Sequence, residues 1–310
     1  MIVQSEAFRD AIDEYIILFE RSFGRTIKKD YFTWRFLEHP SSDLLMGLEL
    51  GKGRIVASYS ATPCNLEFQN KEIKTGLSIS TMTDPDYRGK GLFPKLGSEL
   101  YTMMVSQGYE MIWGFPNNNI HYGRIKNLQW NDIYEIPTMC LKVSDSCYSD
   151  MEPIQTDDDF VMSYKSNVST ENMVRVKKDS KYLQWRYLSH PINKYKNFVV
   201  ADGEIVSSHC ITKLFNDSLD IVDMQFQTID EGEYLLRKVL SWANSQNLNY
   251  IQCWAPRHHF VHSLCEKIGF YNSTPITYFA YRWLMEPGNK ITDFSNYSNW
   301  YIQMGDSDVY

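Results

Sequence analysis

Between a strand-like run and a helix-like run the chain places Arg88-Gly89-Lys90-Gly91. Glycines at such a turn let backbone N–H groups approach an anion closely, and the start of the following helix adds partial positive charge. Arg88 and Lys90 supply full charges. The chemistry this suits is a pyrophosphate cradle. A Walker loop would need GxxxxGK[ST] and a dinucleotide fold GxGxxG, and neither is present at this turn.

The flanking elements follow from periodicity. Leu77, Ile79, Thr81 and Thr83 alternate with Ser78, Ser80 and Met82, which predicts a strand. Asp84-Pro85 ends it, because proline removes a ladder donor and restricts the residue before it. Leu92, Phe93, Leu96, Leu100 and Met103 or Met104 then recur at helical spacing.

The run Thr83-x-Pro85-x-Tyr87-Arg88-Gly89-Lys90-Gly91-Leu92 resembles motif A of the GNAT acyl-CoA-dependent N-acyltransferases. The family pattern Q/R-x-x-G-x-G/A falls on Arg88, Gly91 and Phe93, with Phe93 standing where the family has a small residue. The resemblance implies an α/β (α+β) fold and acyl-CoA as co-substrate, either acetyl-CoA or a longer-chain or hydroxyacyl-CoA. It implies that Arg88 to Phe93 (Gly89, Lys90, Gly91 and Leu92 between them) hold the pyrophosphate. Backbone N–H groups of Thr81, Met82 and Thr83 would face the thioester carbonyl, and Asn118 would hold the pantetheine. The family's tyrosine acid for the departing thiolate falls on Ile125, so His121 and Tyr122, one turn earlier, are the expected substitutes. The family's strand glutamate is absent too, since Ser78, Ser80 and Thr81 stand there. An acceptor amine with a pKa near neutrality needs no strong base, which favours a sugar amine over a lysine side chain.

Composition bounds the rest. The chain has 310 residues, 22% of them charged, and a net charge of −7, which argues against nucleic acid or an anionic membrane as partner. Six cysteines show no CxxC pair, and neither a signal peptide nor a long apolar run is evident, so reduced thiols and a cytoplasmic location are expected.

The sequence also repeats itself. Tyr31–Pro40, YFTWRFLEHP, matches Tyr182–Pro191, YLQWRYLSHP, at six of ten positions, and Gly53–Thr62 matches Gly203–Thr212 at nearly the same offset. The expectation is two tandem GNAT-like domains, each a mixed twisted sheet flanked by helices. Residues 1–145 would be the catalytic, acyl-CoA-binding copy. Residues 146–310 would be a degenerate copy that shapes the acceptor site, with a polar seam at Ser144–Phe160. Opposite the basic loop the second copy carries Asp230 and Glu231 and no cation, which would repel a pyrophosphate. Features shared by both copies read as scaffold: Trp34 and Trp185 as core anchors, Arg35 and Arg186 as helix-end cations, His39 and His190 as helix stops.

His258, His259 and His262 lack a convincing fourth ligand, so no metal is expected. The tail from Trp300, with Asp306 and Asp308, reads either as a frayed end or as carboxylates beside an amine-acceptor cleft. The length and the WR…HP segments are similar to bacterial acyltransferases acting on dTDP- or UDP-linked amino sugars for surface polysaccharides, by direct attack in a ternary complex. Another amine acceptor, or a non-catalytic acyl-CoA sensor, are the alternatives.

Overall fold

The computed structural model describes residues 2–145, 172–202, 205–286, 293–308 and 310. The predicted seam lies outside them from residue 146 onward, as does Cys147; the other five cysteines are buried and free.

Helix α1, Ser5–Phe23, buries Phe8, Ile12, Tyr15, Leu18 and Phe19 on one face. It stops at Gly24, whose left-handed backbone (φ 68°) lets its N–H reach the Glu20 carbonyl at 2.8 Å. Next come α2, Lys29–Phe32, and a π-helical turn, Thr33–Leu37. Strands β1 (Leu45–Gly51) and β2 (Arg54–Pro63) form a hairpin. A small hairpin, β3 (Leu66–Phe68) and β4 (Lys71–Ile73), precedes β5 (Thr75–Thr83), α3 (Leu92–Ser106), β6 (Met111–Gly114), α4 (Asn118–Leu128) and β7 (Asn131–Lys142).

The same order of large elements then runs again. After β8 (Val174–Val176) come α5 (Ser180–Leu183), a second π-helical turn (Gln184–Leu188), β9 (Tyr195–Asp202), β10 (Ile205–Phe215) and β11 (Ser218–Gln225). They are followed by α6 (Ile229–Ser245), β12 (Tyr250–Cys253), α7 (Phe260–Ile268) and β13 (Tyr271–Trp283), with β14 (Trp300–Tyr301) last.

Ten strands make one mixed sheet in the order β1-β2-β5-β6-β13-β7-β12-β11-β10-β9. The middle of that order is an exchange. β7 pairs with β12, and β13 pairs with β6, so the last strand of each half completes the sheet of the other. The exchanged strands also pair with each other, from Tyr271 opposite Cys140 to Tyr281 opposite Asn131.

The two π-helical turns meet back to back. Trp34 Nε1 donates to the Trp185 carbonyl at 2.9 Å, and Trp185 Nε1 returns a bond to the Trp34 carbonyl at 3.0 Å. Their rings stack with centroids 4.7 Å apart. His39 and His190 accept backbone N–H groups from Ser41 (3.1 Å) and Ile192 (3.2 Å), as helix stops should. Arg35 and Arg186 do fall in the last turns of these segments, but inside the core rather than toward solvent. Arg35 and Arg186 are 2% and 1% exposed. Arg35 lies 4.6 Å over the Trp34 ring, and Arg186 binds carbonyls of the tail. One core runs from α1 through β5 and β6 to Trp300 and Met304, so both halves contribute to it.

Candidate active site

The site starts where the sheet parts. β5 and β6 run parallel only from Thr75 opposite Met111 to Leu77 opposite Trp113. Beyond that, β6 ends at Gly114, where a Cβ would lie 3.1 Å from the Ser78 carbonyl. The close approach at the mouth of the fork is therefore one that glycine permits. On its other edge β5 carries a bulge. Ser58 faces Met82 and Ser60 faces Ile79, so Ser80 and Thr81 share one partner residue, and Ser80 takes φ 46°. Past the bulge, Asp84 gives its N–H to the Val56 carbonyl at 2.9 Å, toward β2. Strand alternation then turns the Thr83 N–H into the fork.

Asp84 fixes the loop that follows. It is 1% exposed, accepts the Asp86 N–H at 3.0 Å, and binds Arg21 of α1 at 2.6 Å and Arg54 of β2 at 3.2 Å. The hydrogen bond from Arg21 holds its carboxyl below the usual carboxylate range. Gly89 and Gly91 both adopt positive φ, 75° and 72°, and α3 begins directly after. The first helical hydrogen bond goes from Lys95 to Gly91 at 3.2 Å, so the N–H groups of Leu92 and Phe93 have no partner within the helix. Arg88 and Lys90 are exposed, resting on the Thr83 and Asp86 carbonyls at 3.3 and 3.0 Å. Phe93 turns toward α4, and a Cβ on Gly123 would lie 3.3 Å from its ring. A bare glycine opposite thus makes room for the ring where a small residue was expected.

Below the fork lies a cavity of about 450 Å³. The strand side contributes Ser78 to Thr81, and the start of α4 contributes Asn117, Ile120 and Arg124. Phe19, Phe23 and Arg25 close it from the first half, while His190, Asn193 and Asp308 reach it from the second. Burial and the nearby Arg186 and Arg35 push the His190 imidazole down to about 3, so it is neutral near pH 7.

Sequence reasoning missed Arg124. It is 3% exposed, and its Nη2 donates to Ser78 Oγ at 2.8 Å and Thr81 Oγ1 at 3.4 Å. Its guanidinium lies 4.4 Å over Trp130. Nε and Nη1 are buried with no hydrogen-bond partner. Unpaired donors in a buried guanidinium are costly, so the geometry asks for an electronegative atom in the cavity.

Of the residues predicted from sequence, Thr81 lines the cavity, and the Arg88–Phe93 loop follows the same strand. Met82 is 3% exposed, with its side chain in the core. His121 is drawn away, bonded to Asp132 at 2.7 Å and stacked on Tyr278 at 3.9 Å. Tyr122 is 69% exposed, and neither it nor His121 lines the cavity. Asn118 opens α4 with an exposed side chain, while its neighbour Asn117 caps the helix and lines the cavity.

In the second half the corresponding loop is short. β11 ends at Gln225 and α6 begins at Ile229, leaving three residues where β5 to α3 leaves eight. At the start of α6 the Glu231 carboxylate accepts from Ser207 (3.1 Å) and from Ser208. A carboxylate of the chain itself therefore sits where the first half presents its basic loop.

Among the described residues no group of three His, Cys, Asp or Glu side chains could hold a metal, and no helix is long and apolar enough to cross a membrane. His259 caps α7, and His262 bonds the Ala255 carbonyl at 3.1 Å.

No curated protein sequence matches the chain. A conserved protein from Enterococcus faecalis, titled a probable N-acyltransferase, shares 13% identity at TM-score 0.64, over 89% of this chain and 71% of that one. A GCN5-related N-acetyltransferase from Kribbella flavida shares 12% at TM-score 0.64, over 89% and 70%. Saccharomyces cerevisiae N-myristoyltransferase with bound myristoyl-CoA shares 10% at TM-score 0.58, over 88% and 80%. At these identities the likeness is one of fold. Residues 5–128 match the model of the acetyltransferase (GNAT) domain. Residues 5–128 are therefore similar to a GNAT acetyltransferase domain, and this match supports an acyl-CoA-dependent N-acyltransferase.

Proposed function

We propose that the chain moves an acyl group from acyl-CoA to the amine of a small acceptor held in the cavity, a nucleotide-linked amino sugar of the dTDP or UDP kind. The observation that carries this reading is Arg124, a buried guanidinium with two unpaired nitrogens, Nε and Nη1, at the fork. On this reading the loop Arg88–Phe93 holds the pyrophosphate, and the acyl thioester enters between β5 and β6. The Thr83 N–H and Arg124 face the negative charge that develops as the amine attacks. Preorganised donors at that place are typically worth about 3–4 kcal/mol. Two features support the acceptor: a cavity of about 450 Å³, and the exposed Arg25 at its mouth, suited to a diphosphate. The second half is proposed to hold no CoA and to form the far wall of the acceptor site, through His190, Asn193 and Asp308.

Release of free thiol from acetyl-CoA and longer acyl-CoAs, assayed with UDP- and dTDP-amino sugars beside aminoglycosides and peptides, tests it. Amide formation is expected with the nucleotide-linked sugars. Equal turnover of the matching free sugars would remove the nucleotide from the reading.

A further inference from the structure

The stretch from Trp300 is not frayed. Trp300 and Tyr301 pair with β8, and residues 300–307 are buried. Gln303 then does for β11 what a neighbouring strand would do. Its Oε1 accepts the Met224 N–H at 2.8 Å, and its Nε2 donates to the Met224 carbonyl at 2.6 Å. Met224 lies beyond the paired part of β11 and β12, which ends at Ile221 opposite Cys253. The fork of the second half is therefore filled by the chain's own tail. Gly305 follows, where a Cβ would meet the Val222 carbonyl at 2.8 Å. Arg186 donates to the Gly305 and Ser307 carbonyls at 3.2 and 3.5 Å, and Lys178 holds Asp306 at 2.8 Å. So anchored, the chain delivers Asp308 into the cavity of the first half, where no other Asp or Glu side chain is among the described lining residues.

We propose that Asp308 receives the acceptor amine, pairing with its ammonium form and taking a proton from it. This rests on the cavity being the acceptor site. One proton passes from R–NH3+ to the Asp308 carboxylate, which frees the nitrogen lone pair. That pair forms the C–N bond to the thioester carbonyl carbon, and the C–S electron pair leaves on sulfur. The second nitrogen proton ends on the thiolate, giving the amide and CoA thiol, and Asp308 returns its proton to water. Arg35 on the first π-helical turn, Arg186 on the second and Arg124 on α4 draw the Asp308 carboxyl toward its charged form. Burial opposes them more strongly and leaves it above the usual carboxylate range. Tyr31, Tyr310, Arg25 and the neutral His190 complete the titratable side chains lining the cavity. A carboxylate so raised is a better base, and the rate should fall as pH drops through its value.

The test compares Asp308→Asn and Asp308→Glu with wild type, using acetyl-CoA as donor. Benzylamine, protonated near neutrality, and hydroxylamine, largely unprotonated, are the acceptors. Asp308→Asn is expected to lose on the order of 100-fold in kcat/KM with benzylamine. Hydroxylamine transfer should stay within roughly threefold, and Asp308→Glu should recover most of the loss. CoA affinity by calorimetry should not change in either variant. An equal fall with both amines, or an acid limb that follows the amine pKa and survives in Asp308→Asn, overturns the proposal. A wild type that binds CoA but transfers to neither amine overturns the cavity as a general amine site. A wild type that binds no CoA overturns the function itself.

Discussion

At the scale of single residues, the glycine turn before α3 was readable and the contacts that support it were not. Arg88, Gly89, Lys90 and Gly91 announce themselves because charge and conformational freedom coincide over four positions. Arg124 carries no such signal. One arginine in a helix sequence says nothing until the fork brings Ser78 within 2.8 Å of it. The same is true of Asp84, which reads as a turn residue and proves to be the buried tie between α1, β2 and the loop. His121 and Tyr122 were chosen by helical proximity to Ile125, but a helix presents several faces, and theirs is not the cavity's. Arg124→Met should lower kcat on the order of 100-fold and leave CoA affinity within a few-fold, since the donors it removes face the reacting centre. Steady-state kinetics beside calorimetry reads both. An unchanged kcat would remove Arg124 from the chemistry.

At the scale of elements, the strand over 77–83 and the helix from Leu92 followed from periodicity and turn residues. The stretch Lys28–Leu37 did not disclose that its second half is π-helical. Periodicity cannot distinguish these turns, because both bury a residue every third or fourth position. The recurring WR pair read as scaffold, and the reciprocal Trp34–Trp185 bonds show how its tryptophans join the two halves. The tail was left open by sequence because its partner, the edge of β11, is distant in the chain. Gln303→Ala should cost on the order of 1–3 kcal/mol by leaving the Met224 N–H buried and unpaired, while the Met224 carbonyl keeps the Tyr301 hydroxyl at 2.7 Å. It should also lower benzylamine transfer, because the anchor that carries Asp308 is loosened. Urea unfolding and the transfer assay check the two effects together. Stability unchanged within error would mean that the tail is not held by this pair.

At the scale of the molecule, the sequence repeat predicted two copies, and the element order does run twice. What repetition could not reveal is the exchange of β7 and β13, since either pairing leaves each strand's own pattern unchanged. The exchange makes one sheet of both halves and sets the second against the first half's fork. The halves then divide their work: one presents a basic loop and an open fork, the other a short loop with Glu231 and a fork filled by Gln303. Calorimetric titration with CoA tests this division most directly. The account predicts one CoA per chain. It also predicts affinity at least tenfold weaker in Gly91→Asp, about 1.4 kcal/mol. At that position no atom lies within 4 Å of the added Cβ, so the change acts through charge and backbone strain rather than a clash. Two CoA per chain, or undiminished binding in Gly91→Asp, would contradict it.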